Sequence, residues 1–517
     1  MFADISFSPL LLPAGNDPVR CREEDLKILR FPLPALAPRL TRDGEEILRR
    51  QRMFADFDRI GPLKEAARTL CSTLGDLTAL LRRTGDPSKG DNEALLYSLT
   101  ELRLFTDAAE GFVRTSSGCV PESPALSRFL GEMRRLTEDG EFAALRDWLA
   151  SLNLTLRNIR SLTVGINLDA QLNVREVGLV SLHDEPYTVS TPLNRFFQKQ
   201  ADDPALRCVA AVGIRESGSL TEHNGIAVDR AFYLAMNDAV RGTLRELRRK
   251  LTAPLVSVVR SLAERGEELA FLLSGADWIA EARAKRLPLA WPRVSPVTSA
   301  ARLFPPGLAD RMPVSKIVPS DVNPERGSAR LAVLTGPNSG GKSAWMTAVG
   351  IAQLLFQLGL PVPAARAEMR IRSAVLVHSS ALSGTGEYAG EGRLAGEAAS
   401  LKSMLDGADG DSLLLFDEAF SSTSAYDAVL LSKALLNHLE KRGCAAILVT
   451  HLHELAAWIR ENAPPATVSL TARIAEGRRA YEIVKDPGES AGSLAADVVR
   501  DCGLGFLLDP PDRTSGS

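Results

Sequence analysis

Eight consecutive residues, Gly336-Pro337-Asn338-Ser339-Gly340-Gly341-Lys342-Ser343, fit the pattern G-x-x-x-x-G-K-[ST], in which the backbone N–H groups of a glycine-rich turn face phosphate oxygens. Glycines let the chain approach the phosphates, and the N-terminus of a following helix adds a field that favours anions. Lys342 would reach the outer phosphates as a point charge, and Ser343 would offer a hydroxyl to Mg²⁺. A second group, Asp417-Glu418, closes the apolar run Leu413-Leu414-Leu415-Phe416. Downstream of a phosphate loop, Asp417 suits an Mg²⁺ ligand acting through a water. Glu418 suits a base that orients and deprotonates an attacking water. A third group, Thr450-His451, ends the run Ile447-Leu448-Val449. His451 there could sense the outer phosphate or hold the attacking water, whereas His453 has no comparable argument. The small hydroxyl residues of Ser421-Ser422-Thr423-Ser424-Ala425-Tyr426-Asp427 suit a loop near the phosphates or across an interface.

These groups need a frame. Leu331-Ala332-Val333-Leu334 reads as a buried strand leading into the phosphate loop, and Ser343 to Leu358 reads as the helix leaving it. The runs ending at Asp417-Glu418 and Thr450-His451 read as two further buried strands, so the nucleotide domain, about residues 313–508, is α/β. Upstream, residues 1–38 are proline-rich and read as an irregular lead-in. Residues 39–290 are mainly helical: Ile47, Phe54 and Phe57 recur at helical spacing, as do Leu70, Leu74, Leu77 and Leu81. Gly85 to Gly90 and Pro121 to Pro124 break the helices. At about 161–190, Leu162, Val164, Ile166 and Leu168 alternate with polar residues or glycine, and Val177, Leu179, Val180 and Leu182 form a second extended run. This reads as a strand pair inserted among helices. A stripe of Leu244, Leu247, Leu251, Leu255, Val258 and Leu262 then marks a long helix, with Pro254 as a candidate kink. The proline-rich stretch 286–325 reads as a connector, centred on 291–312, and residues 509–517 as a disordered tail.

The chain has 517 residues, enough for several domains, with 45% hydrophobic and 24% charged residues, the balance of a globular protein with real cores. A net charge of −3 gives no global basicity to attract nucleic acid, so any basic surface is local. Arg241, Arg245, Arg248, Arg249 and Lys250, or Arg49, Arg50 and Arg52, are the candidate phosphate contacts. Each group reads first as a solvated helix face. The six scattered cysteines form no C-x-x-C pair and read as reduced thiols of a cytoplasmic protein. No apolar run reaches about 18 residues, and the N-terminus has neither a basic start nor a cleavage-site pattern. A membrane span and a secretory signal are therefore not expected.

The motifs resemble those of the MutS family of ATPases. Thr335 to Ser343 matches T-G-P-N-x-x-G-K-S, whose Pro-Asn pair is far more specific than the general phosphate loop. Gly359-Leu360-Pro361-Val362-Pro363-Ala364 resembles G-x-x-V-P-A, and Asp417-Glu418 followed by Thr423 to Asp427 resembles D-E-x-x-x-G-T-S-x-x-D-G. Thr450-His451-Leu452-His453-Glu454-Leu455 resembles T-H-x-x-E-L, and Ser490 to Ala495 is similar to the serine-glycine segment that ends such domains. More weakly, Leu40 to Phe57 resembles the start of the family's helical core, the stripe after Asp229 its lever helices, and the strand pair near 161–190 a reduced clamp. The resemblance implies a multidomain chain: a mostly α-helical core with a small β insertion, followed by an α/β phosphate-loop NTPase domain. It implies ATP and Mg²⁺ as cofactors, residues 336–343 as the nucleotide cradle, ATP hydrolysis by Glu418 and His451, and Mg²⁺ at Ser343 and Asp417. It further implies a homodimer with nucleotide sites at its interface, DNA as partner, and a cytoplasmic, nucleoid-associated location.

Four departures qualify the expectation. No Phe-x-Glu motif of the kind that reads mismatches stands before the helical core, and no nuclease extension follows the ATPase domain. The family's signature serine falls in S-x-F-x-x-E, whose nearest counterpart is Gly392-Arg393-Leu394-Ala395-Gly396-Glu397. Glycine stands in place of the serine, which leaves Arg393 as the candidate for that contact. The aromatic that stacks on adenine is replaced by Ile317. Two functions therefore compete: an ATPase that binds DNA in mismatch repair or related repair, and one that acts on branched or recombination DNA or serves as a nucleotide-driven dimer switch. A non-hydrolysing binding module is disfavoured by the intact Lys342, Ser343, Asp417, Glu418 and His451.

Overall fold

A computed structural model describes residues 7–11, 18–84, 92–157, 161–168, 170, 174–183, 188–189, 207–208, 253–323, 329–337, 340–380, 393–462, 465–475 and 478–488. The molecule is a mixture of helices and sheets. It divides into two compact units, one of Met1–Leu10, Pro62–Val120 and Leu126–Ala270, the other of Leu11–Gly61, Pro121–Ala125 and Phe271–Ser517.

The first unit is mainly helical among the described residues. It contains most of α3 (Gly61–Thr84), together with α4 (Asn92–Thr115), α5 (Pro124–Glu138) and α6 (Gly140–Arg157), and the leading part of the long helix α7 (Ala253–Ala284). Leu70, Leu74 and Leu77 are buried, as the helical spacing predicts, and so are Leu255, Val258 and Leu262 on α7. Aromatic rings fill the core: Phe105 against Phe142 at 5.9 Å and Phe112 against Phe129 at 5.4 Å between centroids. Pro254, the candidate kink, lies in α7, and the residues before Ala253 are outside the described ones. The strand pair expected near 161–190 is β1 (Ser161–Leu168) antiparallel to β2 (Val174–His183), with Ser161 opposite His183 and Gly165 opposite Gly178. The basic run Arg241 to Lys250 lies outside the described residues.

The second unit is built on a six-stranded sheet. Its strands are β3 (Leu331–Thr335), β4 (Val375–Ser379), β5 (Leu413–Asp417), β6 (Ala445–Val449), β7 (Thr467–Ala475) and β8 (Arg478–Lys485), in the order β4-β5-β6-β3-β7-β8. All neighbours are parallel except the β7–β8 pair. Parallel strands covered by helices are apolar along their length, and all five residues of β6 are buried. The covering helices are α8 (Lys342–Leu358), α9 (Arg393–Asp406), α10 (Ala425–Arg442) and α11 (His453–Asn462). A second sheet joins Arg293–Val294, Arg366–Met369, Ser299–Leu303 and Ser320–Val322, so residues read from sequence as a connector contribute strands.

The N-terminal residues are part of this unit. Arg20 pairs with Ala374 beside β4, and α1 (Glu23–Leu29) follows. Asp25 accepts a hydrogen bond from the Val377 N–H at 2.8 Å. The segment thereby covers the free edge of the sheet. Helix α2 (Gly44–Arg59) starts at Asp43, whose carboxylate caps the N–H groups of Glu45 and Glu46. Just before it, Thr41 exchanges backbone and side-chain hydrogen bonds with Gln357 of α8. Arg50, grouped in the sequence with Arg49 and Arg52 as a phosphate contact, is buried instead. Its Nε pairs with Glu46 at 2.7 Å, Nη1 donates to the Arg39 carbonyl at 2.6 Å, and the guanidinium lies over the Phe271 ring.

Candidate functional site

The parallel order of the sheet brings the sequence-predicted groups to one edge. Strand β3 runs into the phosphate loop, β5 ends at Asp417, and β6, hydrogen-bonded between them, ends just before Thr450-His451. In open parallel sheets the crevice beyond the carboxyl ends of the strands is where ligands bind. Register pairs Asp417 with Val449, and the Glu418 N–H donates to the Val449 carbonyl at 3.0 Å. The Thr450 N–H donates to Leu334 at 3.0 Å. His451 Nδ1 consequently lies 3.5 Å from Glu418 Oε1, both side chains being partly exposed.

The loop itself turns on glycine. Gly341 has φ +89° immediately before α8, a left-handed conformation that L side chains rarely adopt. Lys342 opens the helix and is buried; its Nζ donates to the carbonyls of Gly336 at 2.6 Å and Pro337 at 3.1 Å. Burial pulls the Lys342 pKa down, opposed by the charges of Glu418 and Asp417. The Ser343 hydroxyl donates to Asp417 Oδ1 at 2.9 Å. Burial raises the Asp417 pKa and Glu418 adds to the rise, whereas the Ser343 hydrogen bond and Lys342 act against it. A hydroxyl and a carboxylate in contact form an oxygen-only donor pair, the kind a hard cation such as Mg²⁺ takes. Asn338 and Ser339, predicted members of the cradle, lie outside the described residues.

Lys342, Ser343, Asp417 and Glu418 line one cavity of about 870 Å³, and Ile317 lines it as well. Sequence reasoning missed three of its other residues: Arg311, Lys316 and Tyr481. The first two add positive charge. Tyr481 comes from β8 with φ +59°, and its carbonyl oxygen lies 3.6 Å from where a Cβ on Gly341 would stand. A lone tyrosine more than 130 residues beyond the loop carries no sequence signal that would bring it here. The hydroxyl-rich run after Glu418 ends at Ser424, which caps α10 by accepting from the Asp427 N–H at 3.2 Å. Arg393 is the first described residue of α9; the segment before it and the Ser490–Ala495 motif are outside the described residues.

A glycine-turned loop between strand and helix, with a buried lysine and a hydroxyl–carboxylate pair beside it, defines a phosphate-loop nucleotide-binding domain. Comparison with known proteins narrows the class. Residues 332–503 match the family model described as MutS domain V. The chain is 31% identical to the DNA mismatch repair protein MSH2 of Saccharomyces cerevisiae over 216 residues, 40% of this chain and 22% of that protein. It is 38% identical to the endonuclease MutS2 of an Anaeromyxobacter strain over 147 residues, 28% of this chain and 17% of that protein. With the DNA mismatch repair protein MutS of Geobacillus thermodenitrificans it shares 26% identity over 378 residues, 70% of this chain and 38% of that protein. Over residues 332–503 the chain is therefore similar to MutS domain V. The matches span less than two fifths of the length of these three relatives. Among the described residues, no helix is long and apolar enough to cross a membrane.

Proposed function

We propose that this protein hydrolyses ATP and binds DNA under the control of that ATP, in mismatch repair or a related DNA repair process. The observation that carries the reading is the single cavity in which Lys342, Ser343, Asp417 and Glu418 meet. Lys342 binds the outer phosphates, exchanging its two loop carbonyls for phosphate oxygens, a gain available to a buried ammonium that desolvation already disfavours. Ser343 and Asp417 hold Mg²⁺, which supplies neutralisation of the phosphate charge when bound. Glu418 accepts the proton of the attacking water, and His451, 3.5 Å from it, orients that water or the outer phosphate. Ile317 gives the base an apolar wall, with Tyr481 on the same cavity. The protein acts as a homodimer located in the cytoplasm.

The relatives named as DNA mismatch repair proteins support the repair reading. ATP hydrolysis is measured first, then mobility shifts with homoduplex, mismatched, branched and single-stranded DNA at low salt, with and without ATP. Preference for the mismatch supports mismatch repair, and preference for the branched duplex moves the protein to recombination intermediates. Absence of binding to any of the four DNAs, with and without ATP, overturns the DNA reading. Absence of Mg²⁺-dependent hydrolysis overturns the enzymatic one.

A further inference from the structure

Glu397 belongs to none of the groups that touch phosphate, yet it is nearly inaccessible to solvent, at 1% side-chain exposure. A buried carboxylate is costly unless donors surround it. The donors here come from the turn that follows Glu418. Glu397 Oε1 accepts from the Phe420 N–H at 2.6 Å, and Oε2 accepts from the Ser422 N–H at 3.4 Å and from the Ser422 hydroxyl. On the other side His378 Nε2 lies 3.5 Å from Oε1, and His378 Nδ1 lies 3.3 Å from the Ser400 hydroxyl. Burial alone would raise the Glu397 pKa, but His378, Ser422 and the Phe420 N–H together outweigh it and hold the carboxyl below its ordinary value.

The turn so held is an unusual one. Glu418 has φ +57° and Phe420 φ +65°, two left-handed residues neither of which is glycine. Each costs conformational energy and persists only where surrounding contacts impose it. The Glu418 N–H is fixed by Val449, and the Phe420 and Ser422 N–H groups are fixed by Glu397. Helix α9, which carries Glu397, shares a core with the sheet: Leu401 and Met404 belong to the same buried cluster as Leu376, Leu414 and Phe416. The mount is therefore packed into the core, and a side chain displaced by about 1 Å at a reacting centre loses roughly 100-fold in rate.

We propose that Glu397 is a positioning residue for hydrolysis: from α9 it fixes the left-handed turn Glu418–Phe420 and so aims the Glu418 carboxylate into the nucleotide cavity. The inference rests on the reading of Glu418 as the base.

The test compares Glu397→Ala, Glu397→Gln and Ser422→Ala with Glu418→Gln and the unaltered full chain. Equilibrium binding of a fluorescent ATP analogue, single-turnover hydrolysis and thermal melting are measured on each. Glu397→Ala lowers the hydrolysis rate roughly 10- to 100-fold while the nucleotide Kd stays within about threefold. Glu397→Gln, which keeps one oxygen able to accept from the Phe420 N–H, recovers part of the rate. Ser422→Ala, which removes one of the donors to Glu397 Oε2, gives a smaller loss of the same kind. Adding Glu397→Ala to Glu418→Gln costs nothing further, because the aimed group is already gone.

A folded Glu397→Ala protein with full hydrolysis overturns the proposal. So does one whose rate and nucleotide affinity fall in proportion, the result for a carboxylate that merely holds the domain together. Should Glu397→Ala fail to fold, full hydrolysis by Ser422→Ala overturns it instead. Unaltered turnover in Glu418→Gln removes the base reading and this inference with it, whereas an inactive Glu418→Gln beside a fully active Glu397→Ala removes the inference alone.

Discussion

Arg50 carries a prediction that separates stability from DNA contact. Its side chain is 3% exposed, and that of Glu46, one helical turn back, is 2% exposed. The guanidinium makes two charge-assisted bonds, to Glu46 and to the Arg39 carbonyl, and sits 5.0 Å from the Phe271 ring centroid. Burial lowers the Arg50 pKa and Glu46 opposes it. Replacing Arg50 by Leu leaves the Glu46 carboxylate in the same dry place without its guanidinium. Breaking a buried pair from one side in this way costs about 3–5 kcal/mol. Replacing both, in Glu46→Leu with Arg50→Leu, removes the charge as well as its partner, and such exchanges run from neutral to a gain of about 1–4 kcal/mol. The double variant is therefore expected to be more stable than the single one by at least about 3 kcal/mol. Equilibrium denaturation measures this. A chain of two compact units need not unfold in one step, so the relevant transition is the one that saturating ATP shifts upward, since a ligand stabilises the unit that binds it. A single variant within about 0.5 kcal/mol of the unaltered protein would refute the reasoning and return Arg50 to the list of surface cations available to phosphate.

Glu418→Gln is expected to bind ATP as before and to hydrolyse it roughly 10²–10⁴-fold more slowly; unchanged turnover would remove Glu418 from the role of base. Lys342→Ala removes a buried charged donor whose bonds are worth about 1.5–3 kcal/mol each. ATP affinity therefore falls at least about tenfold, and full affinity in a binding titration would contradict the phosphate assignment. Gly275→Val places a Cβ 2.4 Å from a Phe54 ring atom and 2.9 Å from Leu360 Cδ2, overpacking that costs about 1–3 kcal/mol in thermal or chemical melts. Asp486 accepts from the Gly488 N–H, the Ser469 hydroxyl and Arg460, which together hold its pKa below 3.8 despite burial. A depressed carboxylate stabilises the fold above its unfolded pKa and loses that contribution as pH falls through the folded one. The melting difference between Asp486→Asn and the unaltered protein is thus largest at neutral pH and shrinks in acid, and a difference that stays constant down to about pH 3 would refute it.

The parts of this site that were legible in the sequence are those whose geometry is local. A strand, a glycine turn and a helix follow one another from Leu331 to Leu358, so their chemistry can be read in one window. Asp417-Glu418 and Thr450-His451 were legible because each closes an apolar run, and parallel strands end at the same edge. Arg50 was misjudged because a cluster of basic residues looks the same whether its helix faces water or Phe271, more than 200 residues away. Tyr481, Arg311 and Lys316 reach the cavity only through the order of the sheet and the path of the chain between elements. Glu397 shows a different limit. Sequence rules assign left-handed turns to glycine, yet Glu418 and Phe420 adopt them without it. The turn therefore leaves no mark of its own in the sequence. Its cause is a carboxylate on another helix, some twenty residues upstream, whose cost in isolation is offset by the N–H groups it captures. The residues proposed for chemistry at a strand end are read from the strand, and the residue proposed to aim them is read from the fold.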